Sequence, residues 1–211
     1  MPNMTPRTGM KLKDLEMALQ KVRTFASPIA SLEQYQTPAT IAADMLFLAY
    51  SQGDIAGRTV VDLGCGTGIL GIGAALLGAE RVIGVDVDKG AVELAAANSR
   101  ELGVSIELLV SDVRSFQASA DTVVMNPPFG AQTRHADRPF LEKAIGIANV
   151  VYSLHLGGTE EFVRSLIAST GASGEIQKRY KFEIPHTFAF HKKAKTDVEV
   201  ALFRIKTQGE T

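Results

Sequence analysis

A short hexapeptide, Met125-Asn126-Pro127-Pro128-Phe129-Gly130, gathers groups that can hold a flat amino group. The Asn126 side-chain oxygen can accept one N–H, and the Pro127 carbonyl, fixed by the proline rings, can accept the other. Phe129 offers a face for stacking a planar group. The hexapeptide follows Asp121-Thr122-Val123-Val124, a β-branched run that reads as a buried strand. Two successive prolines cannot continue a ladder, because neither has an N–H, so the chain must leave the sheet at Asn126. In open α/β sheets that carboxyl end is where ligands bind. An ordinary strand-ending loop is the plainer alternative, and a glycine motif upstream argues against it.

That motif is Asp62-Leu63-Gly64-Cys65-Gly66-Thr67-Gly68, reached from a strand over residues 58–63 and leading into a helix from Ile69 to Leu77. Strand, glycine turn and helix form the nucleotide-binding arrangement, and the glycines permit close backbone approach to a ligand. The spacing is G-x-G-x-G, not the G-x-G-x-x-G of dinucleotide binders. Asp62 would repel a pyrophosphate and suits a cationic cofactor that carries an ammonium and a sulfonium. A second strand, Arg81 to Asp86, ends in a carboxylate eighteen residues after Gly68. That lies near the ~20 residues expected of an acid that takes ribose hydroxyls. A third strand, Val104 to Val110, leads to Asp112, which can accept from a cofactor adenine amino group or serve as a plain loop acid.

These residues need a scaffold, and length and composition allow one. The chain has 211 residues, 45% hydrophobic and 21% charged, enough for one domain with a sizeable core. A net charge of −1 gives no global attraction to polyanions, so any nucleic-acid contact must come from a local basic patch. The single cysteine, Cys65, excludes a disulfide framework and a multi-cysteine zinc site. It fits a cytoplasmic protein, as does a polar start without an export signal. The most apolar stretch, Ile69 to Ala79, falls far short of the ~20 residues of a membrane span. No metal ligand set is expected.

The expected organisation is a flexible start over residues 1–9, a single α/β domain over 10–206 with a helical cap at 10–50, and a tail at 207–211. Leu12, Leu15, Leu19 and Val22 predict a helix over 10–25. Its lysines and arginine make either a polyanion-facing cap or a solvated helix face. Thr37 and Pro38 read as the N-cap and first residue of a second helix. The Gln34-Tyr35-Gln36-Thr37 segment before it is a plain loop or a polar lid on a cofactor. Helices are predicted from Asp88 to about Leu102, from about Pro139 to Asn149, and from Thr159 to about Thr170. A fifth strand is predicted over residues 150–154. The loop from Ala131 to Asp137 makes a plausible substrate flap.

The C-terminal part reads as a hairpin of strands 175–184 and 197–205. From Gln177 to Lys195 it carries six Lys or Arg against the single acid Glu183, a local charge of +5. Its connection holds Phe188, Phe190, His191, Lys192 and Lys193, which suit a surface for phosphates and bases. A solvated hairpin tip is the alternative.

With both motifs placed, the chain resembles the class I S-adenosylmethionine-dependent methyltransferases, and within them the N6-adenosine methyltransferases of small-subunit ribosomal RNA found in archaea and eukaryotes. The likeness rests on Leu-Glu-Gln-Tyr-x-Thr (32–37), Asp-Leu-Gly-Cys-Gly-x-Gly (62–68), Met-Asn-Pro-Pro-Phe-Gly (125–130), Val-Tyr-Ser-Leu-His (151–155) and Phe-His-Lys-Lys (190–193). Thr67 stands where that family has cysteine. The resemblance implies a Rossmann-like seven-stranded sheet of order 3-2-1-4-5-7-6 with strand 7 antiparallel. It implies cofactor contacts from Gln34, Thr37, Gly64, Thr67, Ile69, Asp86 and Asp112, beside Asp62, Gly66 and Gly68 of the glycine motif. Asn126, Pro127, Pro128 and Phe129 would hold the adenine, and His191, Lys192 and Lys193 the RNA. The eukaryotic relatives require a small zinc-binding activator that adds to the sheet edge at strand 3, here near Ile106 to Val110.

The expected reaction is methyl transfer from S-adenosylmethionine to the exocyclic N6 of an adenosine in RNA. Two related targets present a planar amino group to the same turn, a protein glutamine amide and guanine N2. A non-catalytic module that binds RNA or a partner is the rival from another class. Intact Asp62, Gly64, Gly66, Gly68 and Asn126 argue against that rival.

Overall fold

A computed structural model describes residues 9–130, 135–185 and 195–207. Two helices come first, α1 (Leu12–Leu19) and α2 (Ala39–Ser51). An alternating α/β stretch follows: β1 (Thr59–Leu63), α3 (Ile69–Leu76), β2 (Arg81–Asp86), α4 (Lys89–Glu101), β3 (Glu107–Val110) and β4 (Ala120–Met125). Then come α5 (Arg138–Ile147), β5 (Ala148–Leu156), α6 (Glu160–Ser169) and the hairpin of β6 (Ser173–Pro185) and β7 (Lys195–Lys206). The sheet has the expected order, β3-β2-β1-β4-β5-β7-β6. β1 to β5 are parallel, and β7 is antiparallel to both β5 and β6.

The β-branched runs supply both sheet faces, as buried parallel strands require. On one face Val60, Val82, Val124 and Tyr152 pack beneath α1, α2 and α3. On the other, Val61, Leu63, Val123 and Met125 pack beneath α5 and α6. α3 is sandwiched between the sheet and the cap helices, and its sequence Ile-Leu-Gly-Ile-Gly-Ala-Ala-Leu is small enough to allow it. A Cβ added at Gly73 would stand 2.3 Å from Leu46 Cδ1 of α2. The cap therefore belongs to the same core as the sheet. No helix among the described residues is long and apolar enough to cross a membrane.

The order reverses between β1 and β4, whose residues Asp62 and Val124 lie side by side. This switch point brings the glycine turn after β1 next to the Asn-Pro-Pro turn after β4. Several expected boundaries shift. The first helix is shorter than 10–25, and Leu12 stays partly exposed while Leu15, Leu19 and Val22 are buried. β3 starts at Glu107, not Val104, and β5 runs longer than 150–154. Thr37 does not cap α2: Pro38 occupies that position without a side-chain cap, because the Thr37 hydroxyl is used elsewhere.

Candidate active site

A cavity of about 450 Å³ opens at the switch point, a size that suits a nucleoside-containing ligand. Gln34, Gly64, Gly66, Asp86, Asp112, Asn126 and Pro128 all line it, so residues from seven positions of the sequence reading converge there. Thr37, Asp62, Thr67, Gly68, Ile69, Pro127 and Phe129 are not among its lining residues. His191, Lys192 and Lys193 lie outside the described residues.

The glycine turn is the floor. Gly64, Gly66 and Gly68 all have positive φ, 71°, 52° and 82°, which glycine adopts without strain. The rings of Phe140 and Phe25 close over it: a Cβ at Gly64 would lie 2.9 Å from Phe140, and one at Gly66 3.4 Å from Phe25. Behind the turn, Gly68 packs so close to α4 that a Cβ would meet that of Ala95 at 3.0 Å. Asn98 of α4, fully buried, donates to the Thr67 carbonyl at 2.9 Å and to the Arg23 carbonyl at 3.1 Å, while its oxygen accepts the Arg23 N–H at 3.1 Å. One amide thus ties the glycine turn to the segment that leaves α1. Thr67 and Gly68 are thereby packed against α4.

Two carboxylates brace the floor from opposite sides. Asp86 Oδ2 accepts the Gly66 N–H at 2.8 Å and Oδ1 the Asp88 N–H at 3.0 Å. Burial holds its pKa above the usual carboxylate range. Asp62 is buried beneath the turn and accepts the Gly71 N–H of α3 at 2.8 Å. Burial, partly offset by that bond and reinforced by the nearby Asp86, pushes its pKa up to about 7. Asp112 behaves oppositely: Arg114 Nε and backbone N–H both donate to Oδ1, at 2.9 and 2.8 Å, and hold its pKa down at about 2. An adenine amino group at Asp112 would share this carboxylate with Arg114.

Within the 32–37 segment, Leu32, Glu33, Gln34 and Tyr35 line the cavity. Gln34 accepts the Ile29 N–H at 2.9 Å and donates to Asp88 Oδ2 at 2.7 Å, which joins the cap to the end of β2. Tyr35 packs its ring against Phe129, with centroids 5.1 Å apart and planes 35° from parallel. Burial pushes the Tyr35 phenol pKa well up, so it stays neutral. Phe129 therefore spends one face on Tyr35, and only the remainder is left for a substrate.

At the end of β4 the Asn126 amide donates from Nδ2 to the buried Thr37 hydroxyl at 3.0 Å. Asn126 Oδ1 is buried and has no hydrogen-bond partner among the described residues. Leaving a buried acceptor unmet costs ~1–3 kcal/mol, which marks it as an acceptor for a ligand. No cluster of His, Cys, Asp or Glu that could hold a metal is found among the described residues.

Phe25, Tyr35, Phe140, Asn98 and Arg114 shape this site and were not singled out as site residues in the sequence. Phe25 lies in irregular chain with no periodic signal, and Phe140 sits on a helix whose register hides its contact with Gly64. Tyr35 was legible only as part of the Gln-Tyr-Gln-Thr segment.

Comparison with known proteins now bears on this geometry. Residues 41–162 match the family model described as "Methyltransferase small domain". The chain belongs to the methyltransferase small-domain family. It is an S-adenosylmethionine-dependent methyltransferase. The rRNA N(6)-adenosine-methyltransferase of Danio rerio is 38% identical over 92% of this chain and 98% of its own length. That of Drosophila melanogaster is 39% identical over 95% and 99%. A crystal structure of a Pyrococcus horikoshii protein superposes with a TM-score of 0.88 at 44% identity, covering 94% of this chain and 98% of the other.

The cavity fits the cofactor on its own terms. Its glycine floor leaves the backbone bare, the Asp86 carboxylate stands in the wall where ribose hydroxyls can donate, and Gln34, joined to Asp88, lines it. When bound, S-adenosylmethionine supplies an activated methyl group on a sulfonium.

The elevated Asp62 pKa has a consequence for stability. Between about pH 4 and 7 the folded methyltransferase keeps a proton that the unfolded chain releases, so stability falls as pH rises through that window. Urea unfolding without cofactor should show a decline on the order of 1–3 kcal/mol between pH 4.5 and 7.5. Asp62→Asn, which keeps an acceptor for the Gly71 N–H, should flatten it. An unchanged pH slope in the variant would assign the titration to another group.

Proposed function

We propose that this methyltransferase transfers a methyl group to the exocyclic N6 of an adenosine in RNA, small-subunit ribosomal RNA being the substrate. The observation that carries the reading is Asn126 in the cavity wall, whose buried Oδ1 has no hydrogen-bond partner among the described residues. The rRNA N(6)-adenosine-methyltransferases similar along nearly the whole chain support it. They give no corresponding support to a glutamine amide or guanine N2 as target.

The adenine N6 lone pair is delocalised into the ring and is a weak nucleophile. Asn126 Oδ1 and the Pro127 carbonyl would each accept one N6–H, which favours a more tetrahedral nitrogen and stabilises its growing positive charge. No strong general base is required, because the methylated nitrogen is very acidic until it loses a proton. Most of the acceleration comes from holding nitrogen and methyl in line. The adenine must leave its stack at a cost of a few kcal/mol, offset in part by aromatic stacking in the site.

The hairpin is proposed to hold the RNA backbone. Its charge is lower than the sequence count of +5: Lys178 pairs with Asp44 of α2 at 2.8 Å, and Arg179 pairs with Glu160 and Glu199. The load falls on Lys181 and the lysines toward the connection. A small zinc-binding protein is proposed to add a strand to β3, the end strand of the sheet. Leu109, Val110 and the adjacent Val87 are exposed along this edge, at 37%, 54% and 54%.

Nucleoside mass spectrometry of ribosomal RNA incubated with cofactor and enzyme should show N6-methyladenosine. Asn126→Ala should lower turnover by at least ~10²-fold while calorimetric cofactor affinity stays within about twofold. Methylated glutamine with no methylated adenosine would overturn the reading. Changing Lys192 and Lys193 together to Glu should weaken RNA binding and make its salt dependence shallower by roughly 0.7 per lost phosphate contact, with cofactor affinity unchanged. Equal RNA affinity for variant and wild type at low salt would remove the hairpin from the interface. Co-expression with a small zinc-binding partner should raise solubility and yield a complex that a charged residue at Leu109 disrupts; no complex would count against the edge as a docking strand.

A further inference from the structure

A second cavity, of about 600 Å³, opens on the far side of the Asn-Pro-Pro-Phe turn. It shares no wall residue with the cofactor cavity, yet Pro128 lines one and Phe129 the other. Consecutive Cα atoms are ~3.8 Å apart, so the two cavities are immediate neighbours across the turn. The cavity at Phe129 and Gly130 is therefore within reach of a nucleotide adjoining a target base that enters at Asn126.

The second cavity is built for a flat group. His135 and Phe162, both half-buried, lie with ring centroids 4.0 Å apart and planes 31° from parallel. His135 holds φ at +60°, a conformation uncommon outside glycine that asparagine, aspartate and histidine adopt more readily than other residues and that clusters at ligand sites. Its carbonyl accepts the Arg138 N–H at 3.1 Å, which fixes the turn into α5.

The polar lining is rich in oxygen acceptors. Asp137 is 5% exposed, and its Oδ2 meets His155 Nδ1 at 3.0 Å. His155 Nε2 meets Ser153 Oγ at 2.7 Å, and both residues are fully buried. These contacts hold the Asp137 carboxylate in place. Glu161 adds an exposed carboxylate, and Thr159 and Ser165 add hydroxyls. Among the described residues no lysine or arginine lines the cavity. The Asp137 and Glu161 carboxylates favour N–H donors over a phosphate.

We propose that this cavity is a subsite for the base next to the target adenosine, which stacks on the His135–Phe162 pair and is selected for an edge that carries an amino group. Adenine, cytosine and guanine meet that requirement and uracil does not. The proposal rests on the reading of the enzyme as an RNA methyltransferase, and adds to it a specificity at one flanking position.

The test is methyl transfer to short RNA oligonucleotides that differ only in the base 5′ or 3′ of the target adenosine. At one of the two positions uracil should lower kcat/KM about tenfold relative to the other three bases. His135→Gly relieves the positive φ, so it should melt no lower than wild type, yet lower kcat/KM about tenfold through the KM for RNA. Phe162→Ala should do the same, and Glu161→Gln should reduce the discrimination against uracil. Cofactor affinity should be unchanged in all three. Transfer by folded His135→Gly and Phe162→Ala at wild-type kcat/KM, or no discrimination at either flank, would overturn the subsite and leave the methyltransferase reading intact. No transfer to any oligonucleotide by the wild-type enzyme, with methyl transferred instead to protein, would overturn both.

Discussion

One hydrogen bond anchors the amide at the end of β4. Asn126 donates from Nδ2 to the Thr37 hydroxyl at 3.0 Å, while its Oδ1 has no partner among the described residues. Were the amide reversed, it would offer donors to an amino group that is itself a donor. Thr37 reaches Asn126 because Tyr35 packs on Phe129 and the cap helices share a core with α3. The cap is therefore part of the chemistry although it lies far from β4 in sequence. A Thr37 side chain without a hydroxyl would leave the fold nearly as it is and the amide free to turn.

The cofactor side follows a different rule. There the ligand surface is backbone, and side chains hold the backbone in shape. Asp86 and Asp62 each accept an N–H from the turn or from the helix that follows, and Asn98 fixes the Thr67 carbonyl. Both carboxylates are strained toward the protonated form by burial. A cation in the cavity would favour their ionised forms, so the two carboxylates suit a positively charged ligand.

The convergence of the two motifs was legible in the sequence because each rests on a local and stringent pattern, whereas the sheet order was implied by the resemblance to a known family. Consecutive prolines must end a strand, and three glycines between a strand and a helix leave few alternatives. Asp86 was legible from its distance to Gly68. What was not legible depended on long-range pairing. The Thr37 hydroxyl looked like a helix cap because capping is the commonest local use of threonine, and its partner lies 89 residues away. The hairpin looked strongly basic because Asp44, Glu160 and Glu199, which pair with its cations, lie outside the segment or across the ladder. Asp112 looked free to accept from a ligand because nothing in spacing reveals the fork of Arg114.

The register of the β6–β7 ribbon carries a less obvious consequence. Ile176 pairs with Phe203 and Lys178 with Leu202, which leaves Gln177 as an extra residue in β6. Beyond it Lys178 and Tyr180 both reach Asp44 of α2, on one face of the sheet, while Arg179 reaches Glu160 of α6, on the other. β7 pairs with β5 only as far as Val200, whereas β6 and β7 stay paired out to Pro185 and Lys195. The outer ribbon thus extends past the sheet on the same side as the strand ends that build the site, by roughly 16 Å at ~3.3 Å per residue. Its two faces alternate with every residue, so the ribbon obeys a parity: lengthening or shortening β6 by one residue ahead of Lys178 exchanges the faces, and a change of two restores them.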